Sequence, residues 1–203
     1  MDYGWLTRKT AIDFFGRRVD RIEGRDNLSS GRAFIIAANH NSWVDAPLLI
    51  SALYNILKRK IYYIAATSWY QKLGAIGINK KHKGRVIEQG LKLLNNNEIV
   101  GIFPEGRANE SSQLLSGKTG AARLALWSGQ PVIPAGIIGT AERNPIFAVK
   151  KLFSKGHQVI IRFGSPINLN QISPVETTIE LLRDTTRQIM QEIAMLCDKT
   201  YSG

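Results

Sequence analysis

His40 and Asp45 stand close together in Asn39-His40-Asn41-Ser42-Trp43-Val44-Asp45, and the pairing of those two types has chemical meaning. A carboxylate that holds one imidazole N–H fixes the tautomer, and it steadies the imidazolium when the other nitrogen takes a proton. The same residues allow a second reading. Ser42-x-x-Asp45 fits a variant of the helix capping box, with Ser42 as N-cap and Asp45 at the third helical position. Such matches are common, so the case for chemistry rests on the rest of the chain. A second carboxylate is notable for its setting. Glu105 follows the apolar run Ile99-Val100-Gly101-Ile102-Phe103, between Pro104 and Gly106. Open α/β sheets gather their sites at such strand ends, although Pro-Glu-Gly also fits an ordinary turn with a solvated Glu. Lys80 and Arg107 each follow a strand too, and two cations there suit a phosphate or simply a basic surface.

Alternating strands and helices would have to position these groups. Ala33 to Ala38 reads as a buried strand before His40, and Ala46 to Tyr54 as a buried helix after it. Further strands are expected at Val19–Glu23, Lys60–Ala66, Leu73–Asn79, Ile99–Phe103, Pro131–Ile138 and His157–Phe163. Helices are expected at Val86–Leu94 and Gly117–Ser128. Residues 5–18 read as a helix whose apolar positions cover more than one face, suiting either core packing or an interfacial membrane anchor. For the last helix, Ser173 is the expected cap, Pro174 the opening residue and Glu176 the completion of a capping box. Ile179, Leu182, Thr186, Ile189, Ile193 and Leu196 then trace one stripe suited to covering a sheet. The pattern predicts an α/β fold with a mixed central sheet flanked by helices. It also predicts one domain over 1–203, with an N-terminal helix at 1–18 and a C-terminal helix at 173–200.

Composition narrows the partners. The 203 residues hold 27 Lys+Arg against 16 Asp+Glu, a formal charge of +11 that favours an anionic partner. Aromatics interleaved with basic residues are sparse and no familiar nucleic-acid motif matches, so no nucleic acid is expected. The single Cys197 excludes an internal disulfide and points to a reducing compartment. His40, His82 and His157 lack metal-ligand spacing, so neither metal nor cofactor is expected. Gly117-Lys118-Thr119 resembles a P-loop ending, but the required first glycine would fall at Ser112. No apolar core of signal-peptide type opens the sequence, and no run approaches the roughly 20 apolar residues of a membrane span.

Taken in order, the blocks resemble the glycerolipid acyltransferases typified by 1-acyl-glycerol-3-phosphate acyltransferase. His40 to Asp45 is similar to that family's HxxxxD motif, Gly74 to Lys80 to its second block, Phe103 to Gly106 to its third and Val132 to Ala135 to its fourth. Lys118-x-Gly120-Ala121-Ala122-Arg123 and Phe163-Gly164-Ser165-Pro166-Ile167 also resemble family segments, and the likeness runs from about residue 20 to residue 170. Lys80 replaces the usual Arg, and Arg107 falls one residue before the usual Arg of the third block.

The resemblance implies that His40 is a general base and that Asp45 orients it. It implies that Glu105 and Gly106 shape the acceptor site, and that Lys80 and Arg107 hold the acceptor's phosphate. Acyl-CoA or acyl carrier protein would donate the acyl group directly to a lysophospholipid hydroxyl, most simply that of 1-acyl-glycerol 3-phosphate. Other expected acceptors are another lysolipid, glycerol 3-phosphate or an amine-bearing lipid; the contrasting reading is a non-catalytic basic module binding anionic lipid or nucleic acid. A cytoplasmic protein held peripherally on the inner face of an anionic membrane is expected.

Overall fold

The structure is a computed structural model that describes residues 10, 12–28, 31–65, 76–77 and 83–203. Its sheet is built around strands too apolar to face water on either side. β2 (Ile35–Ala38) and β5 (Ile99–Ile102) are buried along their whole length, as parallel strands with helices on both faces must be. With them run β1 (Arg21–Glu23), β3 (Ile61–Ala65), β4 (Ile76–Gly77), β6 (Val132–Ile138) and β7 (Ile160–Phe163), in the spatial order β1-β7-β6-β2-β5-β3-β4. β6 and β7 pair antiparallel and the other neighbours pair parallel. The mixed α/β sheet flanked by helices is what the alternation of elements led one to expect.

Side-chain alternation along the strands sets the layers. Phe34, Ile36 and Ala38 pack with Leu49, Ile50 and Leu53 of α1 (Asp45–Leu57) on one face. Ile35 and Ala37 turn to the other face. There α2 (Lys83–Asn95), α3 (Gly120–Ser128) and α5 (Ile179–Leu196) bring Leu94, Leu124, Ile189 and Ile193. The stripe on α5 therefore covers the sheet, although its first member, Ile179, stays exposed. Outside α1 a smaller cluster joins Phe15, Val44 and Leu48 to Ala148 and Leu152 of α4 (Pro145–Leu152).

One close approach is decided by a missing side chain. Tyr63 of β3 lies in register with Gly101 of β5, and a Cβ at residue 101 would fall 2.3 Å from the Tyr63 ring. Glycine there lets a buried phenol lie across the strand.

Several boundaries differ from the expected ones. α4 was not expected, although Asn144 accepts from the backbone N–H groups of Ile146 and Phe147 and Pro145 opens the helix. α3 begins at Gly120, not Gly117. Glu176 N–H does donate to the Ser173 hydroxyl, but on a turn, and the Glu176 carboxylate accepts from that hydroxyl where a capping box would use the Ser173 backbone N–H. α5 is capped instead by Thr178, whose hydroxyl accepts from Leu181 N–H. The reason is tertiary: Leu126 O accepts from Ile172 N–H and Thr177 Oγ1 from Trp127 Nε1–H. Those bonds to the end of α3 hold the segment out of helical geometry. Of the helix expected at 5–18, residues 10 and 12–16 are helical and residues 5–9 and 11 lie outside the described set. The strand expected over 73–79 is described only at Ile76–Gly77.

Candidate active site

Two adjacent parallel strands leave the sheet by the same edge, and that brings His40 and Glu105 together. β2 and β5 pair with Ala37 opposite Ile102, so the residues just beyond each strand become neighbours. His40 backbone N–H donates to Glu105 Oε1 at 2.9 Å, and Asn109 N–H returns a bond to His40 O at 2.7 Å. The Phe103 ring stacks on the imidazole with centroids 4.3 Å apart and planes 13° from parallel. Behind Phe103 lies the fully buried Tyr63 ring, at 5.1 Å.

The two readings of His40 to Asp45 merge in one carboxylate. Asp45 is completely buried in the first turn of α1. Its Oδ2 accepts from Asn41 N–H at 2.6 Å and Ser42 N–H at 2.7 Å, and lies 2.9 Å from His40 Nδ1. The Ser42 hydroxyl caps nothing, since no side-chain cap forms and Val44 occupies the N-cap. A carboxylate oxygen only accepts, so Nδ1 carries the ring proton and Nε2 presents a lone pair. No described residue hydrogen-bonds to Nε2, and the imidazole keeps 20% of its surface exposed. The site therefore holds a base with a fixed tautomer and a free basic nitrogen. Burial, then the nearby Asp45 charge, pushes the Tyr63 phenol well above its ordinary range and keeps it protonated.

Glu105 is buried, not solvated. Its Oε1 accepts from His40 N–H, and its Oε2 from Asn109 Nδ2–H and Leu115 N–H, each at 3.0 Å. With both oxygens engaged and only 3% exposure, it braces the loops on either side. The turn itself forms, because Gly106 N–H closes onto Phe103 O at 3.0 Å, although its Glu is not solvated. Gly106 takes φ 71°, where glycine is favoured, and Lys118 lies across its open side. Arg107, next along, is exposed and forms no ion pair with a described residue. Lys80 lies outside the described residues.

Other groups enter the site from outside the His40–Asp45 pair and the Glu105 turn. Asn39 exchanges bonds with the Ile137 backbone, donating to its O at 2.9 Å and accepting from its N–H at 2.7 Å, which ties the loop to β6. Asn41 donates to the same carbonyl. From the far end of the chain, Lys199 Nζ donates to Asn41 Oδ1 at 2.6 Å and Asn109 O at 3.1 Å. Thr200 pairs beside it with Ser112 and Leu114. The two asparagines lie inside the quoted stretch and were legible as polar residues at a strand end. Nothing local marks Lys199.

Cys197 is buried below α5 and packs with the core. Burial raises its thiol to about 11, leaving on the order of one thiolate in a few thousand molecules near neutral pH. The folded protein should therefore resist iodoacetamide at pH 7.5 and be alkylated only on denaturation, as mass spectrometry would read. Rapid native alkylation with loss of activity would reopen a role for the thiol.

Comparison with known proteins gives the family. The family profile described as Acyltransferase matches residues 20–138. A 1-acyl-sn-glycerol-3-phosphate acyltransferase of Bacillus subtilis (strain 168) is 30% identical over 190 residues, covering 88% of each chain. The human 1-acyl-sn-glycerol-3-phosphate acyltransferase beta is 25% identical over 206 residues, covering 97% of this chain and 72% of its own. The crystal structure of the 1-acyl-sn-glycerophosphate acyltransferase PlsC from Thermotoga maritima superposes with a TM-score of 0.60 at 23% identity, over 97% of this chain and 84% of that one. Its fold is the same. With the ordered blocks, the sheet and these matches in agreement, the chain belongs to the glycerolipid acyltransferase family and is an O-acyltransferase.

Proposed function

We propose that this chain moves a fatty acyl group from acyl-CoA or acyl carrier protein to the free hydroxyl of a lysophospholipid, 1-acyl-glycerol 3-phosphate, in phospholipid biosynthesis. The carrying observation is the 2.9 Å contact of His40 Nδ1 with the buried Asp45 carboxylate, which leaves Nε2 unengaged among the described residues. Nε2 takes the proton of the acceptor hydroxyl as its oxygen attacks the thioester carbonyl. The C–S bond then breaks, the acyl group stays on the oxygen, and the imidazolium returns its proton to the departing thiolate. Asp45 supports the imidazolium without itself being protonated. No acyl-enzyme is required.

Arg107 and Lys80 hold the acceptor phosphate, Gly106 shapes the turn that leads into Arg107, and Glu105 acts from behind as the brace of the His40 backbone. The 1–203 chain serves as one catalytic domain held peripherally on an anionic membrane, on its cytoplasmic side, with the charge of +11 in support. Among the described residues no helix is long and apolar enough to cross a bilayer.

The deciding experiment is an acceptor panel with radiolabelled acyl-CoA and, separately, acyl carrier protein. The arms are 1-acyl-glycerol 3-phosphate, other lysophospholipids, glycerol 3-phosphate and an amine-bearing lipid, with His40→Ala as control. The expected result is His40-dependent transfer, fastest to 1-acyl-glycerol 3-phosphate. Faster transfer to an acceptor lacking phosphate would overturn the phosphate assignment of Arg107 and Lys80.

A further inference from the structure

The exposed large apolar side chains are unevenly distributed. Phe14, Ile146, Phe147 and Phe153 are 40%, 65%, 55% and 49% exposed, and these include every aromatic among the large exposed apolar residues described. They form one patch. The Phe14 and Phe153 rings lie 5.6 Å apart, the Arg18 guanidinium sits 3.8 Å over Phe153, and the Lys150 ammonium lies 5.8 Å from the Phe147 ring centre. Helical geometry explains the division on α4. Ile146, Lys150 and Phe153 step by four and three along one side with Phe147 beside them, while Ala148 and Leu152 turn inward and are buried.

The inward side leads to the active site. Ala148 and Leu152 pack with Phe15, Val44 and Leu48, and the Phe15 ring meets Trp43 edge-on at 6.5 Å. Trp43 and Val44 are in the His40–Asp45 loop itself.

We propose that this patch, the outer side of α4 together with Phe14 and Phe153, is the surface by which the protein docks on an anionic lipid bilayer. The identity of the occupant rests on the lipid-acceptor reading above. Charge supports it: the Arg18 guanidinium lies over Phe153 and the Lys150 ammonium beside Phe147, and the segments that carry the rings also hold Arg17, Arg143, Lys151 and Lys155, against Asp13, Asp20 and Glu142. Of those acids, Asp20 is engaged by Val159 N–H and Glu142 by Asn144 N–H. Aromatic rings at headgroup depth inside a rim of cations match the layering of an anionic membrane surface. A second copy of the chain fits less well, because a two-fold contact would press these cations against their own kind. Docked this way, the loop carrying His40 lies behind α4, one helix diameter (~10 Å) from the layer that holds lysophospholipids.

The test is sedimentation of the full chain with phosphatidylcholine vesicles and with mixed phosphatidylcholine–phosphatidylglycerol vesicles, at low and high salt. The wild type, Phe147→Ser/Phe153→Ser and the remote Ile179→Ser are compared. Wild type and Ile179→Ser should pellet with the anionic vesicles and be released by salt, whereas the double variant should lose partitioning by about tenfold. The replaced rings are half exposed, and circular dichroism checks that the fold is kept. On a short-chain acceptor dissolved as monomer the double variant should match wild type. On the same acceptor class embedded in vesicles it should fall by a factor like that of the partitioning loss. Undiminished vesicle binding by the double variant overturns the proposal. So does a concentration-dependent wild-type dimer that the double variant abolishes while vesicle binding persists. Absence of acyl transfer on either presentation would sink the proposed function and leave the docking result readable.

Discussion

His40→Ala should lower kcat/KM for acyl transfer to 1-acyl-glycerol 3-phosphate by roughly 10²–10⁴-fold, the usual share of a positioned general base. The protein should otherwise stay intact, for reasons visible around the ring. The imidazole is partly exposed, and it contributes one stacking partner to Phe103. The contact that anchors the loop is made by the His40 backbone N–H, which alanine keeps. Asp45 Oδ2 likewise retains its bonds from Asn41 and Ser42. Steady-state kinetics alongside thermal unfolding would read both halves of the expectation. Near-wild-type activity in this variant would remove His40 from the mechanism. Asp45→Ala is the poorer probe, because the same oxygen that orients the ring also holds the loop backbone. Its loss confounds chemistry with folding.

Glu105→Ala should destabilise the fold by about 3 kcal/mol, since each buried donor left without an acceptor costs roughly 1–3 kcal/mol. The donors abandoned would be His40 N–H, Leu115 N–H and Asn109 Nδ2–H. That is a large part of a typical domain's stability of about 5–15 kcal/mol. Glu105→Gln should not rescue it. A carboxylate presents acceptors at both ends, and an amide in either orientation turns an N–H toward a donor. Activity should fall with stability, because the loop that carries His40 loses its brace. Chemical denaturation of both variants, with kcat/KM measured under conditions where each is folded, would check this. Wild-type stability in Glu105→Ala would contradict the buried brace, and full rescue by Gln would show that fewer acceptors are needed.

Local sequence carried much of this fold. Apolar runs marked β2, β3, β5 and β6, because a strand covered on both faces has no polar positions to obscure it. Three- and four-residue spacing marked α5, and the blocks from His40 to Ala135 came in the family's order. Signals that act over a few residues were nevertheless misplaced where distant contacts compete. Ser173 and Glu176 do bond to each other, yet contacts with Trp127 and Leu126 accompany a helix that starts only at Ile179. α4 went unread despite the Asn144 and Pro145 signals, since its short apolar face shows no long repeat.

What residue types and spacing determined was that an imidazole and one carboxylate stand at strand ends, with a second carboxylate at the start of the following helix. Which way each carboxylate faces depended on strand order. Because β5 lies beside β2, Glu105 turns inward to the His40 backbone. Because α1 starts at Asp45, a single oxygen there serves both the loop and the ring. Lys199 reaches the same loop from 158 residues away. Contacts of that range depend on how the layers pack, and no window of neighbouring residues contains them.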